Sequence, residues 1–203
     1  MTTATLPARA GLPDESLDLL FREARTPVAW TDEPVDPAAV REIFETAKFG
    51  PTMMNSLPMR LTVVESAEAR ADLVSLMAPG NQQKVATAPV VVIVSADRDF
   101  HETLAETFPH LPGAGDKFPD REQRGTLARM NATLQLAYFL IAARAHGLDA
   151  APMTGYSSTR IPARFLADGD QDLIAVVALG HADGAATHPR NPRLPYERVV
   201  THV

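Results

Sequence analysis

The chain has 203 residues, 45% of them hydrophobic, and a formal net charge of −6, which suits one domain with a sizeable core. The acidic balance and the scattered Lys and Arg argue against nucleic-acid binding, which rests on clustered cations neutralising phosphates. With no cysteine in the sequence, disulfides, thiolate nucleophiles, iron–sulfur ligation and cysteine zinc sites are excluded, so any redox chemistry must come from a bound cofactor.

Residues 1–13 are small, polar and proline-containing, without the apolar run of an export signal; a flexible start on a cytoplasmic protein is expected, with 14–203 as the folded domain. From Asp14, the residues Leu17, Leu20, Phe21 and Ala24 recur at helical spacing, and this helix is expected to end near Arg25, before Pro27. Asp36-Pro37 opens a second helix with Val40, Ile43, Phe44 and Ala47 as its apolar stripe, and Gly50-Pro51 stops it. Residues 60–65 have strand composition, and Ser66 caps a helix that Pro79-Gly80 breaks. A short helical turn around 82–84 leads into the apolar run 88–94, too short to cross a bilayer as a helix. It reads as a strand covered on both faces.

Residues 97–122 are less regular, with Phe100, Leu104 and Phe108 on a short helix, and form a candidate lid over a substrate. The longest helix is expected over 123–146, apolar around most of its circumference and stopped by Gly147, as the central buried helix. A short helix at 161–166 and a second buried strand at 173–180 follow. The proline-stiffened tail, 184–203, reads as an arm along a surface or a partner subunit.

Three separated stretches suit a grip on a flat, singly phosphorylated cofactor: Arg25-Thr26, the run Gly50-Pro51-Thr52-Met53-Met54-Asn55-Ser56-Leu57-Pro58, and Pro152-Met153-Thr154-Gly155. The planar fork of Arg25 can bind phosphate bidentately, although a solvated Arg ending a helix is an equal reading of that residue alone. Asn55 offers donors and acceptors to a polar ring edge, although Asn often satisfies its own turn. Pro-x-x-Gly by itself is more often a plain helix-to-strand connection. The six histidines show no acidic pairing at ligand spacing, so no metal site is expected. Ser157-Ser158 lies outside any Gly-x-Ser-x-Gly elbow, and no Gly-x-Gly-x-x-Gly follows a strand. Arg124, Arg129, Asn131 and Lys84 read as surface or helix-pair residues, unless a lid carries the arginines over the cofactor to bind a carboxylate.

In order along the chain, Arg25-Thr26 with Trp30, the Pro51-to-Pro58 run, the Gly147-to-Gly155 run and Pro192-Arg193-Leu194-Pro195 resemble the blocks of the FMN-dependent nitroreductase superfamily. Gly50-Pro51-Thr52, Gly80-Asn81-x-Gln83-Lys84 and Pro152-Met153-x-Gly155 are most similar to its malonic semialdehyde reductase branch. The resemblance implies an α+β nitroreductase-like fold with a mixed central sheet flanked by helices, and an intertwined homodimer with FMN sites at the interface. It places Arg25, Arg193 and Arg190 at the flavin phosphate, with Thr26 in the place of a family Ser. It lays Pro51, Thr52, Met53 and Asn55 along the isoalloxazine, and has Pro152, Met153, Thr154 and Gly155 present a backbone N–H to flavin N5. The family's second arginine falls on Val28, and Met53 and Leu57 replace polar residues.

The chemistry implied is hydride transfer from NADH or NADPH, through FMN, to a small electrophile, with no side chain assigned as catalytic. Malonic semialdehyde going to 3-hydroxypropionate is the substrate the branch suggests. The alternatives are a general nitroaromatic or quinone reductase, and a flavin-binding or flavinless scaffold without enzymatic activity.

Overall fold

The computed structural model describes residues 11–184 and 189–203, so part of the expected flexible start and residues 185–188 of the expected arm lie outside the described residues. Four strands, β1 (Met59–Val63), β2 (Val90–Asp97), β3 (Asp149–Met153) and β4 (Gln171–Gly180), form a sheet in the order β1-β2-β4-β3. The α+β class matches expectation, but the sheet is not mixed: each of the three strand pairings is antiparallel. The two apolar runs do have both faces covered. Val92, Val94, Ala175, Val177 and Leu179 join one core, and Val91, Ile93, Val176 and Ala178 the other. Antiparallel pairing meets that demand here because the long connections between strands carry helices onto each face.

One face is packed by α2 (Ala39–Ala47) and α6 (Arg121–Ala145), the other by α3 (Ala67–Leu76), α4 (Pro79–Thr87) and α7 (Arg160–Phe165). The first helix, α1 (Asp14–Leu17), continues as a π-helical turn over Asp18–Arg22 and stops three residues short of Arg25. Arg22 holds that end by pairing with Asp14 at 2.7 Å and Asp18 at 2.8 Å, and Ala24 to Thr26 are left outside the helix. Ser66 caps α3 as expected, its Oγ accepting from the Ala69 N–H at 3.1 Å. Pro79 does not merely end α3. It sits at the first position of α4, where a proline loses no helical hydrogen bond.

Residues 100–117 form two 3₁₀ turns around a four-residue helix, α5 (Leu104–Thr107). Helix α6 is capped by Asp120, which accepts from the Gln123 N–H at 2.6 Å, and ends before Gly147 at φ 80°. Its buried stripe runs through Gly125, Ala128, Ala132, Leu136, Phe139 and Ala143. Burial does not follow the apolar residues round its circumference, for Met130 and Leu134 lie exposed. Strand β3 was not foreseen, because Asp149-Ala-Ala-Pro-Met has no β-branched residue and contains a proline. At a sheet edge Pro152 can be tolerated without its missing donor. Among the described residues no helix is long and apolar enough to cross a membrane.

Gly50 marks where α2 gives way to the loop before β1. A Cβ there would stand 2.0 Å from the Tyr138 ring, whose hydroxyl donates to the Pro51 carbonyl at 3.1 Å. Gly50→Ala is therefore expected to lower stability by about 1–3 kcal/mol through overpacking, read as a fall in Tm. An unchanged Tm would show that Tyr138 moves aside freely.

Candidate functional site

A cavity of about 450 Å³ opens beside the chain segment that follows the π turn. Arg25, Lys84, Arg144, Arg190 and Arg193 line it together with Thr26 and Val28, and among the described residues no carboxylate does. Five cations around one hollow, in a chain of net charge −6, repel one another unless an anion sits among them. The segment is pinned from two directions: Arg190 donates to the Ala24 carbonyl at 3.3 Å and Arg144 to the Leu20 carbonyl at 2.8 Å. Burial pulls the Arg144 pKa below its usual value, with Asp149 opposing, yet a guanidinium stays protonated in water's accessible range. Lys84 is set by α4, whose carbonyl at that residue accepts from the Trp30 Nε1–H at 3.0 Å. The structure thus gathers Arg25, Thr26, Arg190 and Arg193, and adds Lys84 and Arg144.

Beyond β3, the Gly155 carbonyl accepts from the Ala78 N–H at 2.9 Å and from Asn81 Nδ2 at 3.1 Å. A Cβ at Gly155 would come within 2.8 Å of that same amide nitrogen, so a larger residue there would displace the Asn81 side chain. The carbonyl being held, the turn leaves Thr154 exposed and Gly155 partly so. Their N–H groups meet no turn or loop acceptor among the described residues. Asn81 and Lys84 lie about 4.5 Å apart along the α4 axis, so one helix touches both the cationic cavity and this turn. Tyr156 closes the turn, its hydroxyl donating to the Ile174 carbonyl at 3.0 Å. Burial pushes its pKa up, with Arg129 opposing.

The loop from Pro51 to Pro58 is backbone under constraint. Met54 and Asn55 both have φ 50° and Leu57 has φ 44°, a left-handed region that costs a side-chain-bearing residue roughly 1–2 kcal/mol each. Hydrogen bonds from outside the loop hold it there. Asn131 Oδ1 accepts from the Met53 N–H at 2.7 Å, Gln135 Oε1 from the Met59 N–H at 2.9 Å, and Arg60 donates to the Leu57 carbonyl at 3.0 Å. Within the loop, Thr52 Oγ1 accepts from the Leu57 N–H at 3.3 Å. Asn55 does not satisfy its own turn with its amide; it reaches α5 and donates to the Thr107 carbonyl at 2.8 Å. Asn131 is no surface residue, being 1% exposed, and Gln135, not singled out from sequence, is 4% exposed.

The three sequence stretches do not converge within one chain. Met53 and Met54 pack in the core on the α6 face of the sheet, while Met153 and Tyr156 pack in the core on the α4 face. The loop leads into β1 and the turn follows β3, which are opposite edges of the sheet and three strand spacings, about 14 Å, apart. Arg124 cannot serve as a carboxylate ligand. It donates to the carbonyls of Arg98 at 3.1 Å, Phe118 at 3.0 Å and Pro119 at 3.1 Å, and pairs with Asp99 at 3.3 Å. Contrary to the reading of the histidines, Asp99, His101 and Glu102 bring ligand-type atoms within 4.8 Å of one another, but Asp99 already has its cation in Arg124.

A sequence model described as the nitroreductase family matches residues 22–181. A Streptomyces coelicolor protein provisionally named NADH dehydrogenase/NAD(P)H nitroreductase is 50% identical over 187 residues, covering 92% of this chain and 95% of its own. A Leptothrix cholodnii protein of the same name is 44% identical, covering 90% and 93%. Among solved structures, a Bacillus subtilis nitroreductase-type protein superposes with TM-score 0.83 at 20% identity, covering 94% and 100%. One from Exiguobacterium sibiricum, solved in complex with FMN, has TM-score 0.78 at 21% identity, covering 98% and 100%.

The cationic cavity predicts anion-dependent stabilisation of the ligand-free protein. Inorganic phosphate at ten times its Kd should add about 1.4 kcal/mol, read as a rise in Tm that shrinks as NaCl is added. Arg193→Ala should remove most of the rise. An equal rise in that variant would place the anion elsewhere.

Proposed function

The chain belongs to the nitroreductase family, and on that premise we propose that it is an FMN-dependent NAD(P)H oxidoreductase working as a homodimer. The observation that carries this reading is that the cationic cavity, through Lys84, and the Gly155 turn, through Asn81, lie against one helix, α4. The residues present suit FMN: the hollow is rich in donors for a dianion, and the turn has two backbone N–H groups without turn or loop acceptors. When bound, FMN supplies a two-electron carrier that takes hydride from NADH or NADPH at N5 and yields it to the substrate.

The chain's own part is to hold and orient. Arg25, Arg190 and Arg193 grip the phosphate with Thr26 beside them. Lys84 and Arg144 make up the charge that the family pattern loses at Val28. With FMN bound, Thr154 or Gly155 would offer its N–H to the ring and favour the reduced form, with Pro152 and Met153 fixing the turn. Pro51, Thr52, Met53 and Asn55 lie on the wrong face to reach that ring within their own chain, so a second copy brings them to it. Phe49, 81% exposed, together with Met130, Leu134, Leu194 and Val199 supplies apolar surface for that association. Residues 97–122 act as the lid; of the expected arm, Arg190 and Arg193 stay on their own chain's cavity and the stretch after Arg193 reaches the neighbour, and such a dimer drawing on nicotinamide cofactors belongs in the cytoplasm.

For the substrate, malonic semialdehyde rests on the resemblance of the Gly50, Gly80 and Pro152 runs. A general nitroaromatic reductase is favoured instead by the nitroreductase names of relatives at 44–50% identity, with quinones as the companion substrate class to test. Turnover of NAD(P)H with malonic semialdehyde against a nitroaromatic and a quinone separates the two. The purified protein should be yellow and bleach with NADH or NADPH under anaerobic conditions; a colourless protein that rejects added FMN would leave only the flavinless scaffold. Arg25→Ala and Asn55→Ala should each weaken FMN binding roughly 10- to 100-fold, as expected for losing a charged or buried hydrogen bond, with little change in far-UV circular dichroism. Unaltered FMN titrations in both variants would move the cofactor away from these residues.

A further inference from the structure

The two buried amides on α6 are not explained by flavin chemistry, nor by packing of that helix. Asn131 and Gln135 lie one turn apart, in a stripe otherwise made of Gly125, Ala128, Ala132, Leu136 and Phe139. Polar side chains in such a stripe are retained only when they are hydrogen-bonded. Both spend their carbonyl oxygens on backbone N–H groups that bracket the left-handed stretch: Met53 within the loop at 2.7 Å and Met59, the first residue of β1, at 2.9 Å. Asn131 is further fixed by donating to the Leu127 carbonyl at 2.9 Å. Between those two anchors lie all three side-chain-bearing residues with positive φ among the described residues, Met54, Asn55 and Leu57.

We propose that Asn131 and Gln135 are positioning residues, an amide clamp that holds residues 53–59 in the left-handed conformation before any cofactor arrives. The inference rests on the proposed FMN function and deepens it. The clamp sets where Asn55 stands, and Asn55 in turn joins the loop to α5 through the Thr107 carbonyl. Affinity for a planar ring is gained when the surface that meets it is ordered in advance, since ordering then costs nothing at the moment of binding. A helix buried against the sheet is the rigid support that such preorganisation needs, and a loop with methionine and leucine at left-handed positions has no intrinsic preference there to supply it.

The test uses the full-length protein. Asn131→Leu and Gln135→Met keep volume and remove the acceptor; Gln135→Glu keeps an acceptor oxygen for Met59. FMN titration should show Kd raised by on the order of tenfold in the first two variants, with an altered visible circular dichroism of the bound flavin, and recovery to within about threefold in Gln135→Glu. Combining Asn131→Leu with Asn55→Ala should weaken FMN binding by less than the product of the single effects, because both act on one loop. Variants that lose Tm but keep the FMN Kd and the flavin spectrum would overturn the proposal and leave a structural role only. Hydrogen exchange in the FMN-free wild type needs no variant: the Met53 and Met59 amides should be protected without cofactor, and fast exchange at both would also overturn it. A wild type that binds no FMN sinks the proposed function instead, a result distinct from either.

Discussion

The packing of α6 along one face of the sheet is the interaction from which the remaining geometry follows. Its small residues, Gly125, Ala128, Ala132 and Ala143, let the helix lie close to β2 and β4, where Val92, Val94, Ala175 and Val177 meet it. From that fixed line it places side chains at successive heights. Arg124 near its start gathers the carbonyls of the segment before it, Asn131, Gln135 and Tyr138 hold the loop ahead of β1, and Arg144 in the last turn enters the cationic cavity. A rigid helix fixes such distances far better than loops could fix one another.

The charge distribution follows a different logic from the fold. An acidic chain that concentrates five cations in one hollow has a local field opposed to its net field. That contrast favours entry of an anion while the rest of the surface repels it. The same contrast makes the cavity a cost to the empty protein. Desolvation of Arg144 is offset in part by Asp149, and an anion among the cations would offset their mutual repulsion further, so ligand occupancy and stability are linked through one site.

Much of this was legible in the sequence, and the misses have physical causes. Helices with a clear apolar period were readable, as were the Ser66 cap and the two doubly covered strands, because their signals are local. Helix α4 was reduced to a turn because Pro79-Gly80 looks like a break, whereas a proline also begins helices. Strand β3 was lost because its burial depends on the neighbouring β4 and not on its own composition. Arg25, Arg190 and Arg193 were readable as a group only through resemblance; Lys84 and Arg144 join them by tertiary folding, which no spacing reveals. Asn131 and Gln135 did leave a trace. Gln135 falls in the three-and-four spacing of Ala128, Ala132 and Phe139, where an apolar residue belongs, and an amide out of place in such a register marks a buried partner. The left-handed turn was foreseeable at Asn55 alone, since methionine and leucine seldom adopt it.

Pro152 removes a backbone donor from one rim of the sheet. It sits on β3, the rim of the sheet, and a strand arriving from another molecule would find the ladder short of a donor there. Sheet-to-sheet fusion along that rim is thereby discouraged. The opposite rim, β1, has no proline among its residues Met59–Val63, so the two edges of one sheet differ in what they can accept from outside.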